Sequence, residues 1–552
     1  MYRSRRRFLQ QASAFGLAWS SRHSLAAQMM QHGTMPMPAA PARAADEPLP
    51  MMLHSLELAP FVDELPLPQR VTAGGDHRLR VVMREIHAKV HRDVPPTRMW
   101  SYGPTALAPL IEARSHQPLR VEWVNSLPQR HFLPVDFSLH GCGRDVPEVR
   151  AVVHMHGASV PTKDDGYPDD WFVPGRSSMC HYPLEQEAAM LWYHDHAMGL
   201  NRLNIYAGLV GMMVVRDEHE DALDLPSGRY EIPLTFYDRN FSADGQLFYP
   251  TSGDPEHPWV SEFAGDAILL NGKIRPYLEV EPRLYRFRVL NAANSRFFGL
   301  SLSHGKAFQQ IGTDQGLLSG PVELKSLNLA PAERADLLID FSHVAGEQLH
   351  LVYGGAFEVL QFRVASKVGA ASDSYSPRQE VKAASRSASV PATLRPVARI
   401  PESDAVRTRT ITLNDYLNGV GNSMMMLLNH QRWHEPVTEQ PRLNSTEIWE
   451  FVNLTEDTHP MHLHLVRFQL LDRRLFDVFA YRNGKGLRYL DAALKPEPNE
   501  MGWKDTVQCP PGMITRIITK FEGYTGKYLY HCHILEHESN DMMRPFEVVD
   551  EA

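Results

Sequence analysis

The chain has 552 residues, with 65 Asp and Glu against 56 Lys and Arg and a formal net charge of −9. That balance leaves no basic face for nucleic acid, and no stretch beyond the N-terminal leader reads as a transmembrane helix. The length implies several domains. The 35 glycines and 41 prolines, set between short Val/Ile/Tyr/Phe runs, argue for β-sandwiches.

At the N-terminus, Ser4-Arg5-Arg6-Arg7-Phe8-Leu9-Gln10 precedes a weakly apolar run from Ala12 to Trp19, too short to span a bilayer. Ser24-Leu25-Ala26-Ala27 supplies small residues for cleavage. Residues 1–27 thus resemble a twin-arginine export signal, which implies a periplasmic or secreted protein with no stable membrane anchor, handled by the twin-arginine export machinery. Residues 28–49 read as a flexible, Met/Pro-rich tail. Together with Met29, the tail's Met30, His32, Met35 and Met37 are soft enough for Cu(I), whereas the composition by itself describes a disordered linker.

A repeat follows. LRVEWVNSLP contains Asn125, YRFRVLNAANS contains Asn291 and EIWEFVNLTED contains Asn453. Each is a strand-like run closing on Asn and a turn, at a near-constant spacing that suits a whole sandwich rather than a solenoid unit. The chain is therefore read as three copies of one sandwich, at 50–217, 225–366 and 401–552. The Ser/Ala/Pro-rich stretch 367–400 joins the last two as a linker.

The chemistry sits in histidines. His154-Met155-His156, His194-Asp195-His196, His462-Leu463-His464 and His531-Cys532-His533 are four His-x-His pairs, two in the first sandwich and two in the third. On a strand, residues i and i+2 share a face about 6.6 Å apart along it, so one pair reaches two neighbouring metals, or two pairs close around them. Eight imidazoles from two domains suit three copper ions at a domain interface. In the last pair Cys532 points the other way. With His537, Met542 and a second histidine from elsewhere it forms the ligand set of a blue-copper site. The backbone of Cys532 would then connect two redox centres.

In this order, and with the wording VHMHG…DDGYPDDWF, LWYHDHAMGLNRLNIYAGLVG, LLNHQRWHEPVTE, THPMHLHL, GWKDTVQ and HCHILEHES-DMMRP, the chain resembles the multicopper oxidase family. The likeness is to the spore-coat laccase and bilirubin oxidase branch and runs from about residue 50 to 549. It implies an all-β fold of three consecutive cupredoxin-like, Greek-key β-sandwich domains and four copper ions as cofactors. His459, Cys532, His537 and axial Met542 match the type 1 ligands. His154 and His462 match the type 2 ligands, and His156, His194, His196, His464, His531 and His533 match the type 3 ligands. Glu538 resembles an acid along the dioxygen channel, and Asp165 one near the type 2 copper. Reduction of dioxygen to water consumes four protons, so proton carriers are chemically required there.

Three further features carry expectations. Met424-Met425-Met426 reads as a buried Met cluster, with a sensing role near the type 1 site as the alternative. Cys142 and Cys180 are placed for a disulfide in an exported chain, leaving Cys509 as a buried thiol; Cys142–Cys509 is the other pairing. The function implied is oxidation of phenols and aromatic amines with dioxygen as acceptor. The alternatives are an envelope Cu(I) oxidase, supported by the Met-rich tail, a bilirubin oxidase-type activity, and a non-enzymatic copper or electron carrier.

Overall fold

The structure, a computed structural model, describes residues 50–254, 257–369, 390–419 and 421–550. The export signal, the Met-rich tail and most of the 367–400 stretch lie outside them. Among the described residues no helix is long and apolar enough to cross a membrane.

The strands of the described residues form six sheets of five, eight, five, four, five and four strands. They pack in pairs around three cores. The first joins Val81, Trp123, Val153, Leu191 and Met213 from both facing sheets. The second joins Phe236, Phe287, Leu300, Leu337 and Phe362, and the third Ile411, Trp449, Met461, Ile517 and Phe546. Alternating burial makes this work: along Leu119–Ser126 every second residue, Leu119, Val121, Trp123 and Asn125, is buried in the core while those between are not, as a two-residue period requires. The fold is all-β, three cupredoxin-like sandwiches in a row.

The repeat is visible in the backbone. In each sandwich a strand ending at or next to the repeated Asn pairs in parallel with an earlier one: Arg78–Ala88 with Leu119–Ser126, Glu231–Phe241 with Leu284–Asn291, and Ala405–Leu417 with Thr446–Asn453. Each Asn then ties the turn the same way. Its Oδ1 accepts from the N–H two residues on, at 3.1 Å (Leu127), 3.0 Å (Ala293) and 2.8 Å (Thr455). Its Nδ2 donates to a carbonyl of a neighbouring segment, Phe172, Leu329 or Cys509. An Asx turn of this kind is what short amide side chains provide at strand ends.

Two segments lie elsewhere than the sequence suggests. The start of the stretch assigned to the first sandwich packs on the middle one. Leu65 belongs to the middle core, and the N–H groups of Leu53 and Leu65 donate to the carbonyls of Phe241 and Tyr277. The end of the expected linker is strapped down as well. Leu394 is buried against Ile311 and Leu338, its N–H donates to Ser319, and Arg395 pairs with Asp217. Both follow from apolar side chains that a free tether would leave in water.

The first and middle sandwiches meet at a buried charge network. Arg216 reaches Glu231 at 2.5 Å, while Arg288 reaches Glu231 at 2.8 Å and Glu220 at 2.7 Å. Arg286 adds Glu220 at 2.9 Å and Asp336 at 2.5 Å. Burial alone would raise the carboxyl of Glu220, but the guanidinium groups of Arg286, Arg288 and Arg216 outweigh it and lower it to about 2.

Candidate metal centre

The twelve expected ligands converge in two places, one on either side of the strand Gly526–Cys532. That strand runs between Met543–Val548 and His459–Leu463, with Met461 opposite Cys532 and His462 opposite His531. Alternation then sends the thiol into the core of the third sandwich and the imidazole out of it.

On the core side, Cys532 Sγ lies 3.5 Å from His459 Nδ1 and 3.6 Å from His537 Nδ1, and the two nitrogens are 3.3 Å apart. A thiol and two imidazoles thus face a common centre. The loop bearing His537 and Met542 closes on itself, because the Met542 N–H donates to His537 and its carbonyl accepts from Cys532, both at 3.0 Å. Met542 is fully buried. Burial pushes the Cys532 thiol up. Burial also opposes charge on His537, yet Cys532 and Glu262 outweigh it and raise the ring to about 10. Such a pocket calls for positive charge, which a metal ion supplies as well as a proton does.

Beyond the strand the eight histidines of the four pairs gather, each at most 1% exposed. Val153–His156 pairs antiparallel with Ala189–Asp195, setting His154 opposite His194. Rings from the first and third sandwiches stack in two crossed pairs: His154 on His464 at 3.8 Å and His156 on His462 at 3.6 Å. His531 Nε2 lies 3.2 Å from His464 Nε2 and 3.4 Å from His196 Nε2. Burial first, and neighbouring imidazoles second, depress protonation of His156, His194, His196, His462 and His464. Several ring nitrogens have no hydrogen-bond partner: Nε2 of His154, His194 and His462, Nδ1 of His156, and both nitrogens of His533. Buried, neutral imidazoles with unused lone pairs cost free energy unless a metal accepts them. The donor set therefore fits copper, the softer site through its thiolate and thioether and the other through imidazole alone.

The central residues of two pairs are instructive. Asp195 occupies in the first sandwich the slot Cys532 occupies in the third. It turns away from the cluster and accepts from Val152, Ala197 and Asn204 at 2.8–3.1 Å. One slot anchors a loop, and the other aims a thiol at two imidazoles.

Both expected acids adjoin the cluster. Asp165 accepts His154 Nδ1 on its carbonyl at 2.6 Å and His464 Nδ1 on its carboxylate at 2.7 Å. With no cation beside it, burial raises its carboxyl well above the usual range. Glu538 is fully buried and lies 3.5 Å from His196 Nδ1 and 3.3 Å from His531 Nδ1. Asn201 donates to it at 2.5 Å and is held in turn by Ser539.

Sequence reasoning missed several residues that hold the ligands. Thr455 Oγ1 lies 2.6 Å from His459 Nε2, and Glu262 lies 3.6 Å from His537 Nε2 with its side chain 21% exposed. Asp505 contacts His156 and His462. Its motif, GWKDTVQ, was the available signal; Glu262 stands in an unremarkable loop and had none. Two expectations are corrected. All four cysteines are free and buried: Cys180 faces the first core from Ser177–Tyr182, while the Cys142 thiol is turned toward Arg150 and the Met198 carbonyl. The methionines form no buried cluster: the pairing with Ala405–Leu417 shifts register at Met424, which is 60% exposed, and only Met426 is buried. Met424 nonetheless accepts through its carbonyl from Asn540, in the loop between His537 and Met542.

Three sandwiches with a thiol–imidazole centre joined by one strand to an interdomain imidazole cluster define a copper-dependent oxidase, and the chain belongs to the multicopper oxidase family. The multicopper oxidase family models match residues 146–220 and 405–552. Within that family it falls in the laccase branch. It is 43% identical over 527 residues to a laccase of Bacillus subtilis (strain 168), covering 90% of this chain and 99% of that one. It is 41% identical over 525 residues to a laccase of Bacillus stratosphericus, with 90% and 100% covered. The solved multicopper oxidase McoA of Aquifex aeolicus superposes with a TM-score of 0.71 at 28% identity, over 88% of this chain and 99% of that one.

Proposed function

We propose that this chain is a laccase-like oxidase that takes single electrons from phenols and aromatic amines and passes four of them to dioxygen, giving water. The observation that carries the reading is the strand Gly526–Cys532, which sets a metal-ready thiol against one core and flanking imidazoles against the interdomain cluster. An electron carrier needs the Cys532 triangle alone and has no use for eight further imidazoles.

In the assignment put forward, His459, Cys532, His537 and Met542 would hold a type 1 copper. His154 and His462 hold a type 2 copper. His156, His194, His196, His464, His531 and His533 hold a type 3 pair, making four copper ions. When bound, copper supplies one-electron exchange at the first centre and dioxygen reduction at the cluster.

The chain's own residues supply the rest. His537 turns its Nε2 edge toward partly exposed Glu262, which marks the side where a donor docks. A phenol becomes a strong acid as it loses an electron, so a carboxylate at that edge takes the proton and prevents back-transfer. Peptide bonds link Cys532 to His531 and His533, giving a short covalent route between the centres. Glu538, between His196 and His531, and Asp165, between His154 and His464, hold protons where water must form. The Met542 thioether would tune the first centre toward donors that are easily oxidised. The Ser4–Gln10 motif supports export through the twin-arginine machinery to the periplasm or beyond.

The test is oxygen uptake by copper-loaded protein with a panel of phenols, aromatic amines and Cu(I). Phenols should be turned over and the blue colour should bleach and return in air. In His462→Ala the colour should bleach under donor and stay bleached. Return at the wild-type rate would remove His462 from the oxygen site, and absence of phenol-dependent uptake would overturn the reading.

A further inference from the structure

Asp165 and Asp505 perform the same two tasks from opposite sides of the cluster. Asp165, in the first sandwich, takes His154 Nδ1 of its own sandwich on its carbonyl and reaches across to His464 with its carboxylate. Asp505, in the third, takes His462 Nδ1 on its carbonyl at 2.7 Å and reaches across to His156 with Oδ1 at 3.0 Å. Two differences break the symmetry. The carboxylate of Asp505 engages Nε2 of its histidine rather than Nδ1, and His156 Nδ1 is left without a partner. In addition, Asp505 is gripped from the middle sandwich, which holds no ligand. Arg334 Nη1 donates to Oδ1 at 2.7 Å, Arg334 Nη2 donates to Oδ2, and Gln315 Nε2 donates to Oδ2 at 2.7 Å.

The knot is built, not incidental. Arg334 and Asp505 are at most 1% exposed, and Arg334 is pinned further by the carbonyls of Met190 and Asp314. Gly157, next after His156, has φ +88°, and a Cβ there would come within 2.9 Å of Asp505, Gln315 and Arg334 alike. Only glycine lets the chain pass so close.

We propose that Asp505, clamped by Arg334, is a positioning residue that fixes His156 as the Nε2–H tautomer and so aims its Nδ1 lone pair at the metal. This inference rests on the copper assignment above. Its chemistry is one of donors and acceptors. A carboxylate flanked by Arg334 accepts on every side, so His156 Nε2 must donate, and Nδ1 stays unprotonated. An amide at position 505 has one oxygen for two sets of donors: His156, Arg334 Nη1 and the Thr506 hydroxyl on the Oδ1 side, Arg334 Nη2 and Gln315 Nε2 on the Oδ2 side. Arg334 faces both sides alike, so the others decide: Gln315 Nε2 only donates, whereas the Thr506 hydroxyl and His156 Nε2 can each accept, and the oxygen goes to the Gln315 side. The amide nitrogen then faces His156 and forces Nε2 to accept, which moves the proton to Nδ1, where it blocks ligation.

The decisive variants are therefore Asp505→Asn and the double variant Asp505→Asn/Gln315→Met. Tautomers are read in metal-free protein by the ring ¹⁵N shifts of labelled histidine, with His156→Gln assigning the signal. Metal loading is read as total copper and as its EPR-silent share, since the spins of a coupled pair cancel. Wild type should show the Nε2–H form, and Asp505→Asn the Nδ1–H form. Asp505→Asn should also lose the EPR-silent share while keeping the blue band. In the double variant the amide oxygen is free to face His156, so the Nε2–H form and the EPR-silent share should return even though the ion pair is gone. A plain interdomain salt bridge predicts the reverse, with the double variant no better than the single one. That result, or an Nε2–H signal in Asp505→Asn, overturns the proposal. A wild type with no EPR-silent copper instead overturns the copper assignment, and the metal-free tautomers still decide the role of Asp505.

Discussion

Replacing Glu538 by glutamine isolates proton delivery from architecture. The carboxylate oxygen that accepts from Asn201 at 2.5 Å has a counterpart in the amide oxygen, so the link to the 201–207 helix survives. The new NH₂ takes the place of Oε2, 3.3 Å from His531 Nδ1, a nitrogen already directed at the Cys532 carbonyl at 3.1 Å. What is lost there is a weak contact, worth on the order of 1 kcal/mol. Copper content and the blue band should therefore match wild type. The acid, however, is gone from a site with no exposed surface. A lost general acid slows turnover by roughly 10²–10⁴, or about 3–5 kcal/mol in the barrier. Two measurements separate these effects: anaerobic bleaching of the blue band by a phenol, expected at the wild-type rate, and steady-state oxygen uptake, expected to collapse. Glu538→Asp should recover part of the uptake, because it restores an acid at shorter reach. Wild-type oxygen uptake in Glu538→Gln would refute the proton role and leave Glu538 as a brace between Asn201 and the His537 loop.

Cys532→Ser should remove the blue band and donor oxidation together while leaving copper in the imidazole cluster; a variant that stays blue places the thiolate elsewhere. Glu262→Gln should lower kcat/KM for phenols by roughly ten-fold or more, as for loss of a proton acceptor. It should spare a donor that releases an electron without a proton, and equal losses for both donor types would reduce Glu262 to a structural contact. Stability of the metal-free protein should fall in acid. Glu220 is lowered from 4.5 to about 2, so its contribution is complete above about pH 4.5 and is lost as pH drops through 2. That amounts to on the order of 3 kcal/mol for this one group. Denaturant midpoints against pH should show the decline and Glu220→Gln should flatten it; an unchanged slope in that variant would assign the acid limb to other carboxyls.

The candidate ligands were legible because metal chemistry restricts both residue type and spacing. His-x-His on a strand and Cys-x₄-His-x₄-Met leave few other readings, and all twelve residues converge. The three sandwiches were legible through Asn125, Asn291 and Asn453, since a turn that needs an amide oxygen two residues back tolerates few substitutes. The positions of Leu65 and Leu394 were not, because an apolar residue in a polar stretch says that it will be buried but not against what. Glu262 and Arg334 were invisible for a related reason. Their roles depend on which sandwich faces which, and one chain's local pattern carries no term for that. The methionine run failed through register: alternation alone puts Met424 and Met426 on one face, but the ladder shifts at Met424 and leaves it in water.

The pairing of Met461 with Cys532 and of His462 with His531 makes the strand Gly526–Cys532 a component without partial failure. A slip of one residue along the ladder would exchange its faces. The thiol would be delivered to the imidazole cluster and two imidazoles to an apolar core, so both centres would be lost at once rather than one being weakened. An insertion or deletion between Gly526 and Cys532 should thus be far more damaging than one of equal size in the exposed turn at 483–490. For anyone reshaping this oxidase, length is the quantity to conserve there, ahead of the identity of any residue that is not itself a ligand.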